Sequence, residues 1–418
     1  SAPRTGGPST VSRRAKTALT AALMLVSLGS LAIGAERFPP PDFTGGHGIP
    51  ETSVPGPELR AVGWLDVLLL LLGLGLASWM SLKLRSRAAL IVLSIAALGW
   101  FGFWRRGCVC AIGSIQNVAL GVADPGYALP GAVIAFFVLP LVAALIWGRG
   151  FCAGVCPHGA IQELVLVKPL KVPRWLDEIL RIGPWIYLFL AILLAATGSL
   201  FIICKFDPFV GIFRMSGSRT MLTAGAGMLL LSLFVGRPYC RYLCPYGALL
   251  GLAARVSKWR PTVTPDTCTQ CRLCETSCPY DALNHANPAP PASEAIADGR
   301  RHSVLMILVL PVLVLLFGWL GGQVGLATLP LHPDARLASI LVLEENGQLD
   351  GQVPDELAAF RQSRASTDAV FARAGALESR ALVLGRVLGV LFGLILAMKI
   401  GRAFYPGHSP DYETDRAR

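Results

Sequence analysis

The 418 residues are 53% hydrophobic and only 15% charged, with a mean hydropathy of +0.56. A soluble domain averages about 25% charged residues, so this composition excludes a water-soluble globule and describes a bilayer chain. The net charge of +11 does not argue for nucleic acid, because membrane proteins gather Lys and Arg in cytoplasmic loops, where they fix orientation.

Crossing a bilayer as helix takes about 20 apolar residues. Such runs fall at about 17–35, 61–80, 88–104, 127–148, 183–204, 220–236, 303–322 and 381–401. They predict an all-α integral membrane protein of about eight transmembrane helices. The first run follows Arg13, Arg14 and Lys16 and ends in AIGA, so it reads either as an anchor or as a signal peptide. RTGGPSTVSRRAK, SLKLRSR and the 149–181 and 237–301 segments are basic and belong on one side. An even number of spans then places both termini in the cytoplasm. Asp66 and Arg386 fall within spans, where snorkelling and a proton or ion path are the two readings.

The chain divides accordingly. Residues 1–60 form an N-terminal anchor helix and outer segment, and 61–236 hold membrane helices with Cys repeats. With six cysteines, four of them in the run CTQCRLCETSCP, residues 237–302 read as a small cytoplasmic ferredoxin-like [4Fe-4S] insertion, closed by the linker NPAPPASEAIADG. Two membrane helices follow at 303–401 around an outer helical segment at 323–380, which reads as a cap or docking surface, and 402–418 is a cytoplasmic tail.

The chemistry lies in the cysteines. CTQCRLCETSCP, 268–279, is the C-x2-C-x2-C-x3-C-P run that two-cluster bacterial ferredoxins carry twice, the fourth Cys of each run serving the other cluster. Here the complete run occurs once. GRGFCAGVCPHGAIQ at 148–162 and GRPYCRYLCPYGALL at 236–250 repeat each other, and each contains C-x3-C-P, the second half of that run. Cys152, Cys156, Cys240 and Cys244 therefore join Cys268, Cys271, Cys274 and Cys278 as the thiolates that two [4Fe-4S] cubes require. By the ligand swap, one cube takes Cys268, Cys271 and Cys274 with Cys156 or Cys244, and the other takes Cys278 with the remaining three. A zinc site or plain reduced thiols is the competing reading of 268–278.

RRGCVCAIGSIQ, 105–116, is a shortened third copy in which Cys110, Gly113 and Gln116 stand where Cys156, Gly159 and Gln162 stand. Cys108, Cys110 and Cys204 are expected at the outer ends of the third and fifth spans, apart from the cubes. A disulfide such as Cys108–Cys204, ligands of a further outer-face redox centre, and inert buried thiols are the three readings. His158, directly after Cys156-Pro157, is expected to donate a hydrogen bond near the cluster without ligating it. In CKFDPFVGIF, Phe206, Phe209 and Phe213 either shape a quinone or partner site or simply pack. No His pair lies mid-span for a b-type haem, and neither C-x2-C-H, Walker A nor H-E-x-x-H occurs.

With Cys152/Cys156 and Cys240/Cys244 at helix ends and the Cys268–Cys278 run after them, the chain resembles the NapH/NosR-like membrane-bound 4Fe-4S polyferredoxins over about 88–322. That resemblance implies an iron-sulfur electron conduit in the bacterial inner (cytoplasmic) membrane. It would pass electrons between a quinol or cytoplasmic donor and a periplasmic reductase or membrane-complex partner, which does the catalysis. Quinone and redox partner proteins are its implied companions. A redox-sensing maturation or regulatory protein for a periplasmic metalloenzyme, and a subunit of an ion-coupled redox complex, are the alternatives.

Overall fold

A computed structural model describes residues 60–107, 110–259, 292–348, 355–363 and 366–404. Among the described residues the regular secondary structure is all helical, with no strand. In lipid a lone segment satisfies its backbone polar groups only as helix. Helix α1, Arg60–Trp79, continues as a π-helical turn to Leu84 and stops where Arg85 takes a φ of 49°. Helix α2, Arg87–Ala97, is capped by Ser86, whose hydroxyl accepts from the Ala89 N–H, and it too ends in a π-helical turn, Leu98–Trp104. Then come α3, Ala111–Ala123, and α4, Gly131–Trp147.

Short pieces follow: α5, Gly150–Gly154; α6, Pro157–Val165; α7, Arg174–Leu180; α8, Gly183–Ala196; α9, Ile202–Phe206; α10, Val210–Arg214; α11, Arg219–Ser232; α12, Pro238–Tyr242; and α13, Pro245–Arg255. Two very long helices, α14 (Ala292–Ala327) and α17 (Thr367–Phe404), flank α15 (Pro333–Glu345) and α16 (Asp355–Ser363).

Five stretches among the described residues are long and apolar enough to cross a membrane: Ala61–Leu84, Arg87–Trp104, Trp175–Ala196, Ser303–Leu331 and Thr367–Gly401. The expected spans at 127–148 and 220–236 are shorter, at 17 residues in α4 and 14 in α11. The run at 17–35 lies outside the described residues. The expected 183–204 span starts earlier, through α7, and stops at Ala196, because Gly198 turns the chain with a φ of +72°. Beyond it the apolar sequence continues as separate short helices.

Contacts along α1 and α2 set the level of each piece. Gly154 lies against Ala77, Leu90 and Leu93, and Arg87 pairs with Glu163 at 2.8 Å. Helix α6 therefore runs toward the end where α1 stops and α2 starts. Gly131 lies against Trp64, Gly63 against Ala132, and Gly121 against Leu129, so α3 runs toward the other end. Between them Cys110 and Cys156 border one small void with Leu70 and Phe101, mid-helix residues of α1 and of α2's extension. Helices α3 and α6 thus begin back to back inside the bundle and diverge.

Asp66 does not snorkel: it is 0% exposed, pairs with Arg105 Nε at 2.8 Å, and accepts from Trp100 Nε1 at 2.9 Å. Arg386 is exposed on α17 beside Gly322. Helices α14 and α17 form a hairpin in which Gly321 and Gly325 face Gly385, Gly389 and Ala381 so closely that a Cβ would strike backbone. Small residues let membrane helices approach to this distance. The hairpin leans on α8 through Phe189 and Phe392, 6.0 Å between rings, and through Lys399 Nζ, which donates to the Arg181 carbonyl at 3.0 Å. Helices α15 and α16 close its loop over a core of Ala338, Leu341, Leu357 and Val370.

Candidate iron-sulfur site

Both C-x3-C-P motifs fold the same way. The first Cys lies in a one-turn helix, Cys152 in α5 and Cys240 in α12. The second takes extended angles as the N-cap of a longer helix, Cys156 (φ −72°, ψ 118°) for α6 and Cys244 (φ −62°, ψ 112°) for α13. Proline suits the next position because its ring fixes a helical φ and its missing N–H has no helical partner there. The glycine two residues after it packs against the first Cys: a Cβ on Gly159 would meet the Cys152 carbonyl at 3.0 Å, and one on Gly247 the Cys240 carbonyl at 3.2 Å. A methyl group at either glycine would press on that carbonyl, which would have to give by a few tenths of an ångström.

The structure brings Cys152, Cys156, Cys240 and Cys244 to a single hollow of about 320 Å³, bordered also by Arg149, Arg181, Arg237, Arg241 and Lys399. The cations are braced. Arg237 Nη1 donates to the Cys152 carbonyl at 2.5 Å, and its Nε pairs with Glu163 at 3.2 Å. Buried Asp177 pairs with Arg241 at 2.6 Å and Arg181 at 3.1 Å, and accepts from Tyr242 Oη at 2.9 Å. Gln162 ties the two motifs together. Its Oε1 accepts the Tyr239 N–H at 2.9 Å, while its Nε2 donates to the His158 carbonyl at 2.6 Å and lies 3.4 Å from Cys240 Sγ.

These residues fit an iron-sulfur cluster. Four buried or half-buried thiols are soft donors whose thiolates would be penalised by burial without a cation. Arginines and the N-termini of α6 and α13 offer the positive charge an anionic cluster needs. Gly247 N, 3.3 Å from Cys244 Sγ, and Gln162 Nε2 are N–H donors of the kind that tune such clusters. Among the described residues no three of His, Cys, Asp or Glu lie close enough to hold a single metal ion. Cys268, Cys271, Cys274, Cys278 and Cys108 lie outside the described residues.

His158 is turned away from the thiols. Its Nε2 donates to Asp207, 3.1 and 3.2 Å from the two oxygens, and its ring stacks on Tyr239 at 5.6 Å. Asp207 also accepts from Tyr239 Oη at 2.8 Å and from the Phe209 N–H at 2.8 Å. Phe209 and Phe213 pack edge-on against His158 in the core, whereas Phe206 is 60% exposed. Asp207, Tyr239 and the bridging role of Gln162 were not legible as site residues; the one signal was the recurrence of Gln at positions 116 and 162.

Cys110 and Cys204 face a different space, a cavity of about 1010 Å³ bordered also by Asp66, Arg105, Asp207 and Arg214. Cys110 was expected to stand apart from the cluster motifs, yet it borders the same void as Cys156, because α3 begins inside the bundle and not beyond its end.

Paired thiols at the tips of half-length helices, around a cation-braced hollow, are the signature of a membrane iron-sulfur protein. Residues 129–174 and 220–263 each match a family described as a 4Fe-4S binding domain, one copy of the repeat apiece, and 260–283 match a second family of the same description. The chain is 30% identical over 189 residues to the uncharacterised protein MJ0750 of Methanocaldococcus jannaschii, covering 43% of this chain and 76% of the relative. It is 29% identical over 222 residues to the protein NirI of Paracoccus denitrificans, and 28% identical over 165 residues to YccM of Escherichia coli. Those matches cover 49% and 35% of this chain but only 32% of NirI and 46% of YccM, so the chain spans less than half the length of either. No solved structure matches. The chain belongs to the NapH/NosR-like family of membrane-bound 4Fe-4S polyferredoxins.

Proposed function

We propose that the chain carries electrons between a quinol or cytoplasmic donor and a periplasmic or membrane-complex redox partner, using two [4Fe-4S] clusters. The observation that carries this reading is the convergence of Cys152, Cys156, Cys240 and Cys244 on one cation-lined hollow. Cys268, Cys271 and Cys274 with Cys156 or Cys244 would hold one cube, and Cys278 with the remaining three would hold the other. Each cube supplies reversible one-electron storage. The chain's own residues hold the ligands still: Gln162 joins the two motifs, and Arg149, Arg181, Arg237 and Arg241 offset negative charge. In this reading the protein sits in a bacterial inner membrane with both termini and residues 237–302 in the cytoplasm, while substrate chemistry belongs to the partner.

Anaerobic purification followed by iron and sulfide analysis and low-temperature EPR tests the clusters, with at least about eight irons per chain expected. Reconstituted vesicles reduced with a quinol analogue should then pass electrons to a soluble acceptor on the opposite face. An iron-free preparation, or no turnover-linked oxidation of loaded protein, would refute the proposal.

A further inference from the structure

We infer that Cys110 and Cys204 are two ligands of a further iron-sulfur centre, built as an inverted copy of the C-x3-C-P site and placed to exchange electrons with it. The inference rests on the conduit reading above and adds a second station to it.

The copy extends from sequence to atoms. Cys110, like Cys156 and Cys244, is the extended N-cap of a helix, and its Sγ lies 3.3 Å from the Ile112 N–H. Gln116 Oε1 accepts the N–H of Ile203, the residue before Cys204, at 3.0 Å; Gln162 Oε1 accepts that of Tyr239, the residue before Cys240. Gly113 directs its Cβ position to within 3.6 Å of Cys204 Sγ. One glutamine thus joins each N-cap helix to the short helix that carries its partner Cys.

An independent observation points to a ligand. Gln116 is 0% exposed, and among the described residues its Nε2 has no hydrogen-bond partner, although the matching Nε2 of Gln162 reaches both a carbonyl and Cys240 Sγ. Buried donors left without an acceptor are rare in folded proteins. This one, anchored beside Cys204, is where a sulfide or thiolate of a bound centre would accept it. The cavity bordered by both thiols has the volume for such a group, and Arg105 and Arg214 supply cations there as Arg149 and Arg237 do at the first site.

The first turn of α3 borders both sites. Cys110 and Gly113 border the larger cavity, Ile112 borders the thiol hollow, and Cys110 and Cys156 border a common void. Since α3 and α6 leave this region toward opposite ends, a hydrocarbon layer of about 30 Å is divided into two shorter steps. Between the two stations one electron would pass from a cube held by the C-x3-C-P thiols, oxidised by one electron, to the centre held by Cys110 and Cys204, reduced by one electron, with no covalent bond formed or broken.

The test compares the anaerobically purified parent with the double variant Cys110→Ala/Cys204→Ala by iron and sulfide content and EPR. The parent is expected to hold more than about eight irons, and the variant to lose the excess with one EPR signal while the cube signals persist. Equal iron and superimposable spectra overturn the inference and leave the conduit reading standing; an iron-free parent overturns both. Should the double variant not fold, Cys204→Ser, a change at an exposed residue, carries the same readout. Gln116→Glu keeps the acceptor for Ile203 and removes the donor. It should shift the midpoint potential of the lost signal alone, and an unmoved potential counts against the site.

Discussion

Substituting Asp207→Ala tests the packing logic of the site at its most connected residue. The carboxylate accepts from His158 Nε2, Tyr239 Oη and the Phe209 N–H, all within 3.2 Å and all buried. An unsatisfied buried donor costs about 1–3 kcal/mol, and removing one partner of a buried charged pair costs about 3–5 kcal/mol. The three donors share one acceptor, so their separate costs do not add, and the expected loss is about 3–5 kcal/mol. Tyr239→Phe removes a single hydrogen bond and should cost about 1 kcal/mol. Because Tyr239 precedes Cys240 and His158 follows Cys156-Pro157, the Ala variant should also bind less iron. Anaerobic denaturation in detergent, followed by cluster absorbance and tryptophan fluorescence, measures both effects. If Asp207→Ala unfolds within error of the parent and keeps its full iron, Asp207 is not the tie between the two motifs and the reasoning fails.

Arg105→Leu leaves Asp66 buried beside Trp100 with its cation gone and should cost about 3–5 kcal/mol in the same denaturation assay, whereas a loss under about 1 kcal/mol would show the pair to be solvated. Changing Cys152, Cys156, Cys240 or Cys244 singly to Ser should remove about four irons per chain, read by metal analysis, while full iron in all four variants would exclude them as ligands. Gly389→Val places a side chain against the Phe317 carbonyl and should force α14 away from α17. Spin labels on the two helices would register the separation, and an unchanged distance would contradict the close packing.

The all-helical class and the cluster motifs were legible because each depends on local sequence: apolar runs for one, fixed Cys spacing for the other. The number of spans is harder to read, because a hydropathy run does not say whether the chain continues or doubles back. At 127–148 and 220–236 the helices are 17 and 14 residues long, and after Ala196 the apolar sequence breaks into short helices around Gly198 and Asp207. Asp66 read as a charge near a span end, since its partner lies 39 residues away in sequence at Arg105. Gln116 and Gln162 were visible as a repeated letter, but their bonds to Ile203 and Tyr239 join segments about 80 residues apart. Pairings over such separations follow from the assembled bundle and from no local pattern.

The glycine-lined pairing of α14 with α17 bears on how the molecule is made. Only 6% of α14's most apolar window is buried, and its neighbour supplies the backbone contact that matters. Both arms can therefore enter the bilayer and clasp one another without waiting for metal. Insertion of this hairpin should then be separable from cluster loading, since no residue of its glycine seam is a candidate ligand.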